Sequence, residues 1–309
     1  MKEKIETKRT LLHYVLLAVK GACMGAADVV PGVSGGTIAF VTGIYEELVG
    51  SVKSIRLSLF RLLVRGKFSA FWKQLNGGFL LALLCGILAS IFSLAKLITS
   101  LLHTHPIPVW SFFMGLVAAS AIYILKSLKK GNVWSVVSLL IGVFLAIIVC
   151  RCSPAQTPDG YWFLFLTGAI AICAMILPGI SGSFIMVLFG KYTFIMNAVS
   201  TLQWNVLLVF GLGAVVGLLS FSRMLWWLLK NYYIQTVCLL AGFMFGSIEK
   251  IWPWKTLVAE GVFHNTTPAK YGTISGLSPQ TGVAILFMAL GFVVVFGVDF
   301  LSKRMKQAK

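Results

Sequence analysis

The sequence predicts an all-α integral membrane protein built from two inverted-topology repeats, each consisting of a re-entrant helical hairpin and three transmembrane helices. Composition, an internal repeat and the distribution of basic residues lead to this fold class. Of the 309 residues, 58% are hydrophobic and only 11% are charged, whereas ordinary soluble domains are about 45–50% apolar and about 25% charged. An ordinary soluble domain is therefore excluded, and the membrane bilayer is the expected surrounding.

Basic residues give the chain a formal net charge of +17, which by itself is also typical of nucleic-acid-binding proteins. The lysines and arginines nevertheless stand in short clusters between apolar runs, and the sequence has no RNA-reading motif. We therefore expect no nucleic-acid partner and use the charges as markers of topology. The cysteines and histidines show no metal-ligand spacing, so neither a metal nor a cofactor is predicted.

An internal repeat divides the chain into two halves, predicted to cover residues 1–150 and 151–309. Shifting the sequence by 147 positions aligns 21–52 with 168–199, and eleven of the 32 aligned residues are identical. In the later part of each half the offset that aligns the sequence becomes 127. Such duplications are typical of transporters whose substrate site lies between two structural repeats.

Apolar runs of roughly the 20 residues that a spanning helix needs occur three times in each half. They lie near 76–99, 108–125, 133–150, 204–228, 234–252 and 281–301. Each half also contains an apolar segment that is broken by PGVSG at 31–35 or by PGISG at 178–182. Either each broken segment is one long kinked helix, or the segments are re-entrant hairpins at about 21–50 and 161–200.

Basic clusters on both flanks of the first broken segment favour the hairpins. Cytoplasmic loops are enriched in Lys and Arg, and basic residues both precede the segment, in 2–20, and follow it, in 53–73. A kinked helix would put the second of these clusters on the outer side. Following the spans along the chain then predicts cytoplasmic amino and carboxyl termini and a second hairpin that enters from outside. The two halves are therefore expected to be upside down relative to each other.

The second arm of each hairpin begins at a good helix-capping residue. Ser34 precedes GGT in the first hairpin, and Ser181 precedes GS in the second. A half-helix that begins inside the membrane directs free N–H groups and its positive dipole end toward the centre, and glycine lets a ligand approach closely. The pair predicts a site for a phosphate or carboxylate. The simpler alternative is that PGxSG is only a tight turn that lets helices pack.

Three charged residues within apolar segments are further site candidates, since charges at membrane depth are costly. Asp28 has Met175 as its repeat counterpart, so the fold does not require the carboxylate; we predict a proton or cation carrier, with capping of a half-helix as the alternative. Glu46 is a second candidate carrier, whereas Glu47 is expected to pair with the basic residues that follow it. Arg223 either extends to the membrane interface or holds a phosphate in bidentate fashion.

The strings GACMGAADVVPGVSGGTIAFVTGIYEEL (21–48) and GAIAICAMILPGISGSFIMVLFGKY (168–192) resemble the bacterial and archaeal polyprenyl-phosphate transporter family. The resemblance implies a flippase that returns undecaprenyl phosphate from the outer to the inner leaflet of the cytoplasmic membrane for reuse in cell-wall polymer synthesis. A polyprenyl-phosphate lipid is then the substrate. The family's motif positions correspond to Asp28, Pro31, Gly32, Ser34, Gly35, Gly36, Thr37, Glu46, Pro178, Gly179, Ser181, Gly182 and Ser183.

Inward movement of this lipid would need coupling, because moving one negative charge against 100 mV costs about 2.3 kcal/mol. We predict cotransport of protons carried by Asp28 and Glu46. A secondary transporter of a small soluble anion is one alternative, and a membrane lipid-phosphate enzyme is another. An enzyme is not expected, since catalysis needs a nucleophile with acid and base partners and all four histidines lie outside both motifs. The oligomeric state is left open, with a homo-oligomer among the options.

Overall fold

A computed structural model describes residues 9–30, 32–128, 131–155, 157–158, 160–259 and 262–307. Nearly all secondary structure in these ranges is helical, as predicted. The first half contains α1 (Leu11–Val29), α2 (Gly35–Val41), α3 (Tyr45–Lys53), α4 (Leu57–Val64), α5 (Phe68–Leu75), α6 (Gly77–Thr104), α7 (Pro106–Ser127) and α8 (Val133–Arg151). The second half contains α9 (Tyr161–Ile176), α10 (Gly182–Leu188), α11 (Tyr192–Ser200), α12 (Trp204–Asn231), α13 (Tyr233–Ser247), β1 (Lys255–Ala259), β2 (Val262–Asn265), α14 (Pro268–Ser275) and α15 (Thr281–Gln307).

Within the described ranges, five helices are long and apolar enough to cross a membrane: α1, α6, α7, α8 and α12. A bent pair, α10 and α11, could supply a sixth crossing; its two helices meet at 113°. Apolar side chains on the outer faces of these helices point away from the protein, including Leu81, Leu88 and Phe92 on α6 and Leu208 on α12. Since a soluble protein rarely exposes such a continuous apolar surface, the chain is an all-α membrane protein.

The order of elements repeats between the halves. A long helix is followed by a break, two short helices and three long helices, which pairs α1 with α9, α2 with α10, α3 with α11, and α6, α7 and α8 with α12, α13 and α15. The amphipathic helices α4 and α5 have no counterpart, which accounts for the change of offset within the repeat. The inverted orientation of the halves and the boundary after residue 150 stay predictions, although α8 does end at Arg151.

Helix packing follows the same repeat. The helices α1 and α6 lie side by side, as do α9 and α12, while the pairs α8–α13 and α7–α15 join the two halves. Equivalent glycines allow the close contacts: a Cβ added to Gly86 would lie 1.9 Å from the carbonyl oxygen of Ala18, and one added to Gly213 would lie 2.0 Å from that of Phe165. Small residues at these crossings therefore set the distance between helices, as is usual in membranes.

The core of the bundle surrounds the two broken segments. Val30, Val33 and Ala39 of the first half pack with Leu240 and Met244 of α13, and all five side chains are almost fully buried. On one side of the bundle the β1–β2 hairpin and α14 fold over the helix ends, where the indole nitrogen of Trp254 donates a hydrogen bond to the carbonyl oxygen of Pro279 (2.8 Å). The broken segments thus lie at the centre of the protein rather than on its surface.

Candidate functional site

The two PGxSG turns lie in direct contact. The backbone N–H of Gly179 donates a hydrogen bond to the hydroxyl of Thr37 (3.0 Å). In the opposite direction, the hydroxyl of Ser34 donates to the carbonyl oxygen of Met175 (3.1 Å), and the phenol of Tyr45 donates to that of Ile176 (3.1 Å). The structure therefore brings together two motifs that are far apart in the sequence, joined by side chains of the first half and backbone of the second.

Glycine is required by the backbone at the same place in both turns. Gly32 has a φ of 85° and Gly179 has a φ of 92°, a region that residues with a Cβ rarely adopt. A Cβ added to Gly179 would also lie 2.8 Å from the hydroxyl oxygen of Ser247 on α13. Pro178 is fully buried beside it, whereas Pro31 lies outside the described residues.

A serine side chain caps the start of each short helix. The side chain of Ser34 accepts a hydrogen bond from Gly36 N–H (3.1 Å), and that of Ser181 accepts one from Phe184 N–H (3.2 Å). The hydroxyls of Ser181 and Ser183 are 3.1 Å apart. The expectation that the first turn of α2 offers free N–H groups is therefore not met, because these donors already have partners within the protein.

Asp28 is one of these partners. Its carboxylate accepts a hydrogen bond from Gly35 N–H (2.7 Å), and a Cβ at Gly35 would lie 2.5 Å from the second carboxylate oxygen. The absence of a side chain at Gly35 thus makes room for the carboxylate. Asp28 is half-buried and forms the cap that was the alternative interpretation of this residue; its role in carrying a proton stays a prediction.

Glu46 and Glu47 lie at the start of α3, away from the turns. Glu46 is half-buried and hydrogen-bonded to Tyr233 at the start of α13. Glu47 forms an ion pair with Arg9 and accepts a hydrogen bond from the side-chain amide of Asn76 (2.9 Å). The expected partners of Glu47 in the segment after α3 were wrong, because Arg9, just before α1, lies beside the start of α3.

Arg223 is exposed on α12 and donates a hydrogen bond to the carbonyl oxygen of Ile55 (3.0 Å), just after α3. The structure therefore places the guanidinium group of Arg223 at the end of α3 and not at either turn. The helix α12 packs against both α9 and α3, and the exposed guanidinium of Arg223 lies at the end of α3.

A cation that the sequence did not single out lies at the turns instead. Lys250 follows α13, and a Cβ added to Gly32 would lie 2.8 Å from its Cγ. Its ammonium group lies 4.1 Å from the centre of the Phe184 ring in the first turn of α10. Lys250 thus touches both broken segments. In the sequence it resembles any basic residue at a helix end, and only the fold shows that this end reaches the turns.

Metal-binding geometry is not seen in the part of the chain that the structure describes: no three His, Cys, Asp or Glu side chains there are close enough to hold an ion. What the site offers is hydroxyl groups, one carboxylate and one ammonium group around two glycine-rich turns. Such a set can bind a polar head group and exchange protons, and it lies within an apolar bundle.

Paired broken helices inside an apolar helical bundle define a multi-pass membrane protein. The chain belongs to the VCA0040-like family, described as undecaprenyl phosphate translocase-like, whose profile matches residues 24–267. A relative from Vibrio cholerae serotype O1, named polyprenyl-phosphate transporter, is 42% identical over 303 residues, covering 95% of this chain and 98% of the relative. A protein of the same name from Staphylococcus aureus is 32% identical over 254 residues, covering 76% and 85%. No solved structure matches the chain.

Proposed function

We propose that this chain is a flippase that returns undecaprenyl phosphate, or a similar polyprenyl phosphate, from the outer to the inner leaflet of the cytoplasmic membrane. The observation that carries the proposal is the direct contact between the two PGxSG turns at the centre of the bundle. Membership of a family described as undecaprenyl phosphate translocase-like supports the choice of substrate. The returned lipid carrier would be used again in cell-wall polymer synthesis.

The chemistry of this substrate suits the architecture. A phosphate head group cannot enter hydrocarbon without its hydration being replaced, whereas an isoprenoid tail is stable in the bilayer. Polar backbone and hydroxyl groups at membrane depth are tolerated when protein encloses them. Ser34, Thr37, Ser181 and Ser183 supply such groups around the turns, and the tail would stay in the lipid beside the bundle.

The inverted arrangement of the halves belongs to the same proposal. Equivalent helices pack in equivalent pairs, and the helices α8 and α15 each cross over to the other half. Basic residues on both sides of the first broken segment, together with Lys126 after the next two spans, support cytoplasmic termini. With this topology each turn is reached from a different side of the membrane, which is the arrangement that alternating access requires.

Proton coupling would act through Asp28. Its carboxylate accepts a hydrogen bond from Gly35 N–H (2.7 Å). A phosphate that approaches this turn therefore competes with the carboxylate for this N–H donor. Protonation removes the negative charge of Asp28 and weakens its charge-assisted hydrogen bond. A proton taken up there would both release the amide and offset the charge of the head group. Glu46, half-buried against Tyr233, would pass the proton to the cytoplasmic side.

Reconstitution tests this function directly. Purified full-length protein is placed in liposomes, labelled undecaprenyl phosphate is added to one leaflet, and its transfer is followed with a quencher that cannot cross the membrane. We expect faster transfer than in protein-free liposomes, competition by unlabelled polyprenyl phosphate and none by excess inorganic phosphate. Ser181→Ala should slow transfer, whereas Ser93→Ala, on the exposed face of α6, should not.

Other outcomes would identify the alternatives. Equal competition by inorganic phosphate would replace the flippase with a carrier of small soluble anions. Release of inorganic phosphate from the lipid would indicate a membrane lipid-phosphate enzyme, which the transporter names of both relatives do not favour. Transfer at the protein-free rate would overturn the proposal.

A further inference from the structure

Two lysines form a cluster beside the turns at the end of α13. The ammonium group of Lys255, on β1, donates a hydrogen bond to the backbone carbonyl of Lys250 and lies 3.7 Å from the centre of the Trp110 ring on α7. Lys250 extends from the same point toward the turns, where its ammonium group lies over Phe184. Both side chains are half-buried, so two basic groups lie close together in a confined, partly dehydrated space that disfavours their charged forms.

No carboxylate among the described residues neutralises this pair. The neighbouring Glu249 is engaged by Arg151, whose Nε donates to it at 2.7 Å, and the ring faces of Phe184 and Trp110 offer only part of the compensation that an ion pair would give. Partly buried cations without a counter-charge are costly, because burial disfavours the charged form of an amine. An anion bound here would favour the charged forms of both amines, and among the described residues the chain supplies no carboxylate that already does so.

The position of Lys250 indicates where that anion would bind. Its aliphatic stem packs against Gly32 of the first turn, and its charged end lies at Phe184, which directly follows the second motif. Lys250 thus contacts a residue of each broken segment. An anion bound between the turns would thus meet an ammonium group as well as hydroxyls, and charge-assisted hydrogen bonds are about twice as strong as neutral ones.

We propose that Lys250 is a substrate-binding residue that contacts the phosphate of the polyprenyl phosphate at the turns, with Lys255 placed behind it as a second positive charge. This inference rests on the proposed function and adds the cation that the sequence motifs lack. It also assigns a role to the asymmetry of the halves: position 250 corresponds to Tyr123 in the first half, so the carboxylate of Asp28 and the ammonium group of Lys250 come from different repeats.

A purely structural role for Lys250 is the alternative, since a cation near the end of α13 would stabilise the helix dipole. The two roles differ in one readout. A structural lysine changes thermal stability and the binding of all ligands together, whereas a phosphate-binding lysine changes the preference for a phosphorylated lipid over its uncharged alcohol.

The test measures the affinity of the purified full-length protein in lipid nanodiscs for undecaprenyl phosphate and for undecaprenol. Lys250→Met should weaken undecaprenyl phosphate binding by about tenfold or more, the loss expected for one charge-assisted hydrogen bond, and leave undecaprenol binding unchanged. Lys250→Arg should keep most of the preference. The matched control is Lys270→Met, which removes the same charge from an exposed position on α14 of the same extramembrane segment.

Each result decides the question. If the wild type prefers the phosphate lipid and Lys250→Met keeps that preference within about twofold, Lys250 is not a binding residue while the proposed function stands. If the wild type shows no preference, the proposed function fails and the inference fails with it. Should Lys250→Met not yield folded, monodisperse protein, Lys250→Gln carries the same expectation, and Lys255→Met a smaller loss of about threefold to tenfold; both are judged by the same ratio of affinities.

Discussion

The two broken segments share their geometry and differ in their chemistry. Both have a glycine with positive φ in the turn, a serine that caps the following short helix and a second positive-φ glycine at its end, Gly43 or Gly190. The first turn adds a carboxylate at Asp28 and a hydroxyl at Thr37, whereas the second has Met175 and Phe184 in the equivalent places. Duplication therefore conserved the backbone, and the side chains that can bind or carry charge diverged.

The additions outside the turns are also unequal. The first half carries the amphipathic helices α4 and α5, with exposed Phe68 and Trp72 next to Lys67 and Lys73. The second half carries β1, β2 and α14, which place Lys255 beside the end of α13. These additions give the two halves different surfaces outside the shared helices.

Equivalent substitutions at the helix crossings of the two halves should destabilise the protein to a similar extent. Gly86→Ala and Gly213→Ala each place a methyl group about 2 Å from a backbone carbonyl oxygen. We expect each to destabilise the protein by at least the roughly 3 kcal/mol at the upper end of ordinary overpacking, measured as a loss of folded protein and a lower unfolding temperature. Gly211→Ala, where a Cβ meets nothing within 4 Å, is the control and should be neutral or slightly stabilising. Equal stability of all three variants would contradict close helix packing as the basis of the repeat.

Asp28 has no counterpart in the second half, and we expect its substitution to impair proton-coupled transport. Asp28→Asn keeps an oxygen that can accept from Gly35 N–H but removes the titrating group. At a membrane potential of 100 mV, losing the compensation for one charge amounts to about 2.3 kcal/mol, or about a fiftyfold lower accumulation. Proton-gradient-driven uptake in proteoliposomes measures this loss.

The matched control for Asp28→Asn is Glu47→Gln. It also replaces a carboxylate of the first half by its amide, but at a position that pairs with Arg9 away from the turns. Uptake by this control should stay close to that of the wild type. Full, gradient-dependent activity of Asp28→Asn at every pH would remove Asp28 from the mechanism.

One of the three hydrogen bonds between the turns uses a hydroxyl, that of Thr37, whose counterpart in the second half is Phe184. Thr37→Val leaves the buried N–H of Gly179 without its partner at 3.0 Å, and an unsatisfied buried donor costs about 1–3 kcal/mol. Thermal unfolding in detergent should show this loss, and Thr37→Ser, which restores the hydroxyl, should recover most of it. If valine is tolerated as well as serine, the hydrogen bond does not hold the turns together.

The smallest expected effect is the pH dependence of binding through Lys255. Burial, and to a smaller extent the nearby charge of Lys250, lowers the pKa of Lys255 to about 7, while Cys150 acts in the opposite direction; His264 lies on the paired strand opposite Thr256. Lys255 is therefore mostly protonated below this pKa and mostly neutral above it. Phosphate affinity should accordingly fall as the pH rises through that value.

A phosphate monoester loses its second proton near pH 6, which strengthens rather than weakens binding over the same range, so the fall can be assigned to the lysine. We expect a decrease of about threefold to tenfold between about pH 6.5 and about pH 8.5. Lys255→Arg stays charged throughout and should remove most of the dependence, whereas Lys270→Arg should leave the profile as in the wild type. An unchanged profile in Lys255→Arg would show that another group titrates.

Most of the fold could be predicted from the sequence because lipid imposes simple rules. The apolar runs mark α6, α7, α8, α12, α13 and α15, since only a helix satisfies its own backbone in hydrocarbon. The PGxSG strings mark where α1 and α9 end, because proline and a glycine with positive φ cannot continue a helix. Some helix boundaries differ from the prediction. The helix α1 begins at Leu11, well before the predicted hairpin, and α13 ends at Ser247, short of the predicted run.

The partners within the site depended on tertiary structure. The sequence by itself determined that Asp28, Ser34 and Ser181 stand at broken helices, because local pattern and helix-capping chemistry are properties of neighbouring residues. It could not determine that Asp28 caps α2, that Glu47 pairs with Arg9, that Arg223 reaches Ile55, or that Lys250 lies at both turns. Apart from the contact of Asp28 with Gly35, which is seven residues away across the turn, these contacts join residues that are distant in sequence, and they exist only because helix packing fixes which ends and faces meet.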